Sequence, residues 1–319
     1  MVDLPSVLPP ALIVAGPTAS GKSALALALA EELGGTVINA DAMQCYRELR
    51  ILTARPTPEE EARAPHRLYG VRPAAEAGSV AWWREAALAE MATARVPILC
   101  GGSGMYLAAL TDGIAPVPDP GEAARAEARR RLAEQGPAAL HAALAAVDPA
   151  TAARLRPTDS QRLARAWEVW AGTGRGLAAW QKERGTPAPY RFAAILLDPP
   201  REDLRAAIAR RFAAMLDEGA VEEVAALLAR HLDPALPAMR AHGVPELGAF
   251  LRGEITRAEA ARRAILVTGQ YAKRQTTWFR HHALADPDRA HTIHARATGL
   301  AQFSASVILG LRNFLQGSG

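Results

Sequence analysis

ALIVAGPTASGKS, residues 11–23, joins an apolar run to a glycine-rich turn ending in lysine and serine. The run Ala11–Ala15 predicts a short strand buried on both faces, as in a parallel sheet. Gly16-Pro17-Thr18-Ala19-Ser20-Gly21-Lys22-Ser23 fits G-x-x-x-x-G-K-[ST], the loop that cradles phosphates. Glycines let backbone N–H groups turn inward, the following helix adds positive potential, Lys22 supplies a point charge, and the Ser23 hydroxyl is a candidate Mg²⁺ ligand. The motif requires a helix after it, and Ser23–Leu33 predicts one, stopped by Gly34-Gly35. Together these features predict a diphosphate site.

TVINAD, residues 36–41, reads as a second strand ending on an acid. Ligands of open parallel sheets lie beyond the carboxyl ends of the strands, so Asp41 is expected to face the phosphate crevice. A helix over Val80–Ala94 leads to a third strand, VPILC at residues 96–100, which ends in Gly101-Gly102-Ser103-Gly104. Alternating strands and helices predict an α/β fold, a P-loop NTPase-like doubly wound parallel sheet. IAPVPDPG, residues 114–121, breaks that rhythm, and helical patterning then runs to about residue 190. The expected organisation is a core of residues 1–117 and 191–319 with an inserted helical domain at 118–190. RFAAILLD, residues 191–198, returns to strand character, and Pro199-Pro200 open a helix to about Asp217. Further helices are expected over Val221–Arg230, Thr256–Ala283 and Gly299–Leu315.

Composition agrees with a globular protein. Of 319 residues, half are hydrophobic and 22% are charged, which excludes the low-hydrophobicity profile of a disordered chain. No stretch reaches the roughly 18 uncharged apolar residues of a spanning helix, and Asp3 and prolines stand where a signal peptide would be basic. The expectation is a cytoplasmic protein without membrane contact. Two cysteines, Cys45 and Cys100, make neither a disulfide framework nor a metal cluster. The net charge of +4 rests on arginine rather than lysine, which suits phosphate but also accompanies high genomic GC content, so charge alone favours nucleic acid only weakly.

The cradle does not say which diphosphate it holds, because nucleotide triphosphates such as ATP are its usual ligands. A nucleotide hydrolase also needs an apolar strand ending in a metal-holding Asp. VPILC ends instead in glycines, and RFAAILLD ends in Asp198, readable as a metal ligand or as a cap on the next helix.

GPTASGKS, NADAMQCYRELRILTARPTPEE with Pro65-His66, GGSGMYL, DSQRLARAWEV, MRAHGVPE and QYAKRQTTWFRHH follow one another in this order. This series resembles the tRNA dimethylallyltransferase (tRNA isopentenyltransferase) family over about residues 11–282. The resemblance implies transfer of a dimethylallyl group from dimethylallyl diphosphate to the exocyclic N6 amine of the adenosine just 3′ of the anticodon, in tRNAs reading codons that begin with U. It also explains a P-loop without hydrolase apparatus. Diphosphate is the leaving group, so Lys22, Ser23, loop amides and Mg²⁺ would stabilise charge as the allylic carbon–oxygen bond breaks.

A purine amine is a poor nucleophile, and Asp41 is placed to take its proton as general base, the role of the equivalent aspartate in the family. Ala42 stands where the family usually has Ser. The family resemblance implies tRNA contacts at Asp41, Ala42, Met43, Gln44, Ser103, Arg125, Gln161, Arg162, Leu163, Ala164 and Arg165. Gln44 is expected to read base edges, and the Ser103 hydroxyl to line the channel between adenine and prenyl group. Arg162 and Arg165, at i and i+3, suit a phosphate backbone. Trp82, Trp83, Trp167 and Trp170 are readable as base-stacking or as core residues, the helical spacing favouring core. Lys273, Arg274 and Arg240 are possible phosphate contacts, and His281-His282 has no partner at metal-ligand spacing. Three other readings stay open: an ATP-dependent small-molecule kinase with a helical lid, a non-catalytic RNA-binding module, and a transferase acting on free adenine nucleotides. A monomer is the default expectation.

Overall fold

The computed structural model describes residues 8–183, 185–300 and 305–316. Strands β1 (Pro10–Ala15), β2 (Thr36–Asn39), β3 (His66–Arg67), β4 (Pro97–Gly101), β5 (Arg191–Leu197) and β6 (Ala290–Ile293) form one sheet in the order β3-β2-β4-β1-β5-β6. Every pairing is parallel. β1 lies between β4 and β5, with Leu12 opposite Ile98 on one side and Ala193 on the other. Its buried run explains that place, since a strand covered on both faces cannot alternate apolar and polar residues. The carboxyl ends of β1, β2, β4 and β5 therefore emerge on one edge, where the phosphate loop, Asp41, Gly102 and Asp198 follow their strands.

β2 stops at Asn39, short of the expected Asp41. The Ala40 N–H still reaches the Cys100 carbonyl at 2.8 Å, but the Asn39 side chain then captures the Asp41 backbone and turns the chain out of the sheet. Helices α1 (Lys22–Leu33), α2 (Pro58–Arg63), α3 (Val80–Thr93) and α4 (Gly104–Thr111) complete the first half of this unit. Leu25 and Leu29 of α1 pack on one sheet face with Leu12 and Ile98, while Trp83 and Met91 of α3 and Leu107 of α4 pack on the other with Ile13 and Leu99.

Residues 112–187 form a second compact unit, beginning and ending earlier than the expected 118–190. It contains α5 (Gly121–Val147), α6 (Pro149–Ala152), α7 (Ser160–Thr173) and α8 (Leu177–Trp180). α5 breaks at Gly136, whose φ of 76° opens the turn that Pro137 then continues. Asp148 and Asp159 cap α6 and α7, each accepting a backbone N–H at 3.2 Å. Leu140, Leu144, Leu163, Ala166 and Trp167 make this unit's own core.

The first unit resumes after β5 with α9 (Arg201–Asp217), α10 (Ala220–Leu228), α11 (Val244–Leu251), α12 (Arg257–His281) and α13 (Ala305–Gln316). A third cluster, including Leu49, Phe212, Leu227 and Leu247, binds α9–α12 to the loop after β2. The final helix was expected from Gly299. Residues 301–304 lie outside the described residues, and the described helix begins at Ala305.

Candidate active site

The phosphate loop is shaped by two left-handed residues, Ala19 (φ 64°) and Gly21 (φ 93°), which turn successive amides toward a common centre. Gly21 caps α1, and the first amides of a helix have no partner within it, so they face the loop's concavity. A side chain at Gly21 would strike the Ala297 carbonyl at 1.9 Å, because the chain after β6 backs the loop. There the Ala297 N–H donates to Ser20 O at 2.9 Å, and Arg296 Nε to Ala19 O at 2.8 Å. Lys22 is buried, and burial pushes its ammonium below the ordinary lysine value while the Asp41 charge opposes that shift. Ser20 Oγ is buried without a hydrogen-bond partner, and the exposed Ser23 carries its hydroxyl beside the Cys100 thiol.

Asp41 is fixed through its backbone by the fully buried Asn39. Asn39 Nδ2 donates to the Asp41 and Leu68 carbonyls, each at 3.0 Å, and the Asp41 N–H donates back to Asn39 Oδ1 at 2.8 Å. One carboxylate oxygen of Asp41 accepts the Met43 N–H at 3.0 Å. Asp41 and Thr18 line one cleft together with Arg211, His242 and Tyr271, and Leu52, Ile208, Phe212 and Met215 give it an apolar lining. The crevice that the parallel sheet implied is therefore present, and the carboxylate and the phosphate loop share it. Arg211 Nη2 donates to Thr18 Oγ1 at 2.6 Å, and burial pushes its guanidinium below the ordinary value against the attraction of Asp41. Arg211 also lines a wider cleft, bounded by Gly21, Lys22, Ser23, Arg50, Arg55, Arg210 and Arg296. His242 stays neutral more readily than an ordinary histidine because burial lowers its pKa, with Glu246 and Asp41 opposing and Arg274 reinforcing.

Ser103 works as a brace. Its hydroxyl accepts the Ala42 N–H at 3.0 Å and bonds the Tyr271 hydroxyl, and its own N–H donates to Ala40 O at 3.1 Å. From α12, Gln275 Oε1 accepts the Thr18 N–H at 2.8 Å while Gln275 Nε2 donates to Gly102 O at 2.9 Å. The glycines of Gly101-Gly102-Ser103-Gly104 are required by close packing. A side chain at Gly102 would meet Gln275 Nε2 at 2.1 Å, and one at Gly104 would meet the Trp278 ring at 2.3 Å.

Several sequence expectations change. Gln44 was expected to read bases, yet its buried amide donates to Thr53 O at 2.8 Å and Ala54 O at 2.9 Å, so both of its N–H groups close the protein's own loop. Leu163 was grouped with RNA contacts, yet it is fully buried in the core of the second unit. Asp198 neither caps α9 nor stands free for a metal: Arg280 grips it through Nε at 3.1 Å and Nη2 at 2.9 Å. Trp83 and Trp167 are core residues, Trp83 stacking on Tyr106 and donating its indole N–H to Asn39 O at 2.8 Å. Both cysteines are buried, and burial pushes the Cys45 thiol up to about 12 and Cys100 up to about 11, leaving them unreactive.

In the second unit, Gln161, Arg162 and Arg165 are exposed on α7 and Ala164 is half-buried. Arg162 pairs with Asp159 at 3.3 Å and Arg165 with Glu168 at 3.3 Å, while Arg125 sits among Asp119, Glu122 and Glu168. Lys273 and Arg274 are exposed on α12, and Arg240 Nε donates to Pro234 O at 3.4 Å. Among the described residues, no group of three or more His, Cys, Asp or Glu side chains could hold a metal ion, and no helix is long and apolar enough to cross a membrane.

Sequence reasoning passed over Arg211, Asn39, Tyr271, Gln275 and His242. For Arg211 a signal existed: it falls on the stripe of Leu204, Ile208, Phe212 and Met215, where an unpaired arginine on a buried helix face needs a partner. Gln275 likewise sits on the buried face of α12 with Ala272 and Phe279.

Comparison with known proteins agrees with this geometry. The family model described as IPP transferase matches residues 44–282. The tRNA dimethylallyltransferase of Acidiphilium cryptum is 65% identical over 96% of this chain and 94% of its own length, and that of Granulibacter bethesdensis is 61% identical over 96% and 98%. Among solved structures, the full-length tRNA isopentenylpyrophosphate transferase of Bacillus halodurans is 30% identical with a TM-score of 0.66, covering 97% of this chain and 96% of that one. A eukaryotic dimethylallyltransferase acting on tRNA, 23% identical, shares the fold with a TM-score of 0.80 over 98% of this chain and 80% of its own. The sheet order, the glycine-lysine-serine loop and these near full-length similarities lead to one conclusion: the chain is a member of the IPP transferase family.

Proposed function

We propose that the protein transfers a dimethylallyl group from dimethylallyl diphosphate to N6 of the adenosine 3′ of the anticodon, in tRNAs reading codons that begin with U. The observation that carries this reading is that Asp41 and Thr18 of the phosphate loop line one cleft, with Arg211 bonded to Thr18 and lining the same cleft. The loop amides, Lys22 and Arg211 would hold the diphosphate, and Leu52, Ile208, Phe212 and Met215 would receive the five-carbon chain. The adenosine must leave its stack to reach the cleft. As its N6 forms a bond to the allylic carbon, the carbon–oxygen bond breaks, diphosphate carries away the electron pair, and Asp41 takes the N6 proton.

The Ser23 hydroxyl, exposed at the head of α1, suits Mg²⁺, which keeps several waters and binds through few protein groups plus phosphate oxygens. When bound it supplies charge neutralisation to the leaving group. Lys22 and Arg211 serve the same end from the protein. In the second unit, Arg125, Gln161, Arg162 and Arg165 are the side chains offered to RNA phosphates, and a cytoplasmic location fits such a substrate. Phosphoryl transfer by a kinase has no comparable support, because it gives no use to the apolar wall of Leu52, Ile208, Phe212 and Met215 beside Asp41.

The test is incubation with dimethylallyl diphosphate, Mg²⁺ and an anticodon stem-loop carrying adenosines on both sides of the target. Mass spectrometry is expected to find one five-carbon unit on the target adenosine alone. An unmodified RNA, or ATP consumed with phosphate transferred, refutes the proposal.

A further inference from the structure

One stripe of α12 touches the phosphate loop, the loop that carries Ser103 and the Asp41 cleft. Tyr271 faces the Asp41 cleft and bonds Ser103, Gln275 holds Thr18 and Gly102, and Trp278, three residues further on, lies against Gly104. Spacings of four and three residues place these side chains on one face of a helix. Gln275 is buried, and its two ends reach two different loops: the carbonyl takes an N–H from the phosphate loop, and the amide gives one to the loop that carries Ser103. A P-loop does not need such a clip to bind phosphate. Its motif amides suffice for that. What the clip fixes is the spacing between the diphosphate end of the cleft and the Ser103–Ala42–Asp41 end, and hence between the two reacting molecules.

We propose that Gln275 is a positioning residue for the transfer reaction, holding the phosphate loop in register with the Ser103 loop so that the donor's allylic carbon and the purine amine meet in line. This rests on the function proposed above. The amide geometry is directional, since each end makes a bond that only that end can make: a carboxylate could still accept from Thr18 but could not donate to Gly102 O. Gly102 is part of the same device, as any side chain there would displace the Gln275 amide. Effects of this kind appear in the chemical step, because a misplacement of about 1 Å can cost about a hundredfold in rate.

The experiment is a double-variant cycle on the full chain, with prenylation of the anticodon stem-loop as readout. Gln275→Ala, Gln275→Glu and Gly102→Ala are each expected to lower kcat about 10- to 100-fold, with KM for the stem-loop within about twofold of the unchanged protein. The decisive variant combines Gln275→Ala with Gly102→Ala. Removing the glutamine removes the 2.1 Å clash, leaving Gly16 O at 3.3 Å as the next neighbour, so the pair is expected to be no slower than Gln275→Ala alone. Inorganic diphosphate binding, measured by titration calorimetry, reports that each variant retains a folded cradle. The proposal is overturned if Gln275→Ala keeps kcat within about twofold, or if the two losses multiply in the double variant. An unchanged protein that does not prenylate RNA refutes the function itself, a different result from active protein indifferent to Gln275.

Discussion

Replacing Asn39 by alanine removes the clasp that orients Asp41, and the cost can be worked from its bonds. Asn39 is fully buried, and the substitution strands the Asp41 N–H, the Asp41 carbonyl and the Leu68 carbonyl, which it now satisfies at 2.8, 3.0 and 3.0 Å. A buried polar group left without its partner costs about 1–3 kcal/mol. Asp41 is half-exposed, so water reaches part of its backbone and the low end applies there. The sum is about 3–5 kcal/mol, a large fraction of the roughly 5–15 kcal/mol that holds a protein of ordinary stability together. The indole bond from Trp83 goes to the Asn39 main-chain oxygen and survives the change, so the strand end itself stays pinned. Asn39→Asp is expected to be no better: it keeps the acceptor, loses both donations and adds a buried charge beside Asp41. Urea unfolding is the assay, with a lowered midpoint and an unchanged slope expected. Under folding conditions kcat is expected to fall about 10- to 100-fold, from a displaced carboxylate. A loss below about 1 kcal/mol, or full kcat in Asn39→Ala, refutes the clasp.

Lys22→Met is expected to abolish donor binding in calorimetry while raising the melting temperature, because burial makes the ammonium costly in the free protein. The pH sign follows from the same shift. The charged form binds diphosphate and is lost as pH rises through a pKa below the ordinary 10.5, so donor affinity declines on the alkaline side, while the free protein gains stability between that depressed pKa and 10.5. In the second unit, Arg162→Ala and Arg165→Ala are each expected to weaken stem-loop binding and to reduce its salt slope by about 1, measured as affinity against salt concentration. Leu163→Ala is expected to leave that slope unchanged and to cost about 2–5 kcal/mol in a thermal melt, as a core cavity does.

What could be read from the residues was what depends on neighbours in the chain. The phosphate loop, its strand and its helix form one local unit, and Asp41 needed only the rule that parallel strands present ligands at their carboxyl ends. Arg211 and Gln275 lie 193 and 257 residues from Thr18, and only the docking of α9 and α12 brings them to it. The partners of the Gln44 amide escaped notice for the opposite reason, since they are 9 and 10 residues away and a loop closing on itself leaves no periodic trace. Leu163 belongs to a contiguous run with Gln161–Arg165, but a helix turns successive members of such a run by about 100°, so Leu163 enters the core while Arg162 and Arg165 face solvent. The glycines after β4 marked only the end of a strand, and the reason for Gly102 and Gly104 is the approach of Gln275 and Trp278.

In the proposed reaction Asp41 takes a proton from a purine amine while the adjacent loop holds the departing diphosphate. The most direct measurement is the single-turnover rate of prenylation by Asp41→Asn, with donor and stem-loop affinities measured alongside. An asparagine there keeps the oxygen that accepts the Met43 N–H at 3.0 Å, so the fold and both affinities are expected to hold. The rate is expected to fall at least roughly a hundredfold, the loss of a general base. A rate within about fivefold of the unchanged protein, less than a general base contributes, would contradict the account at its centre.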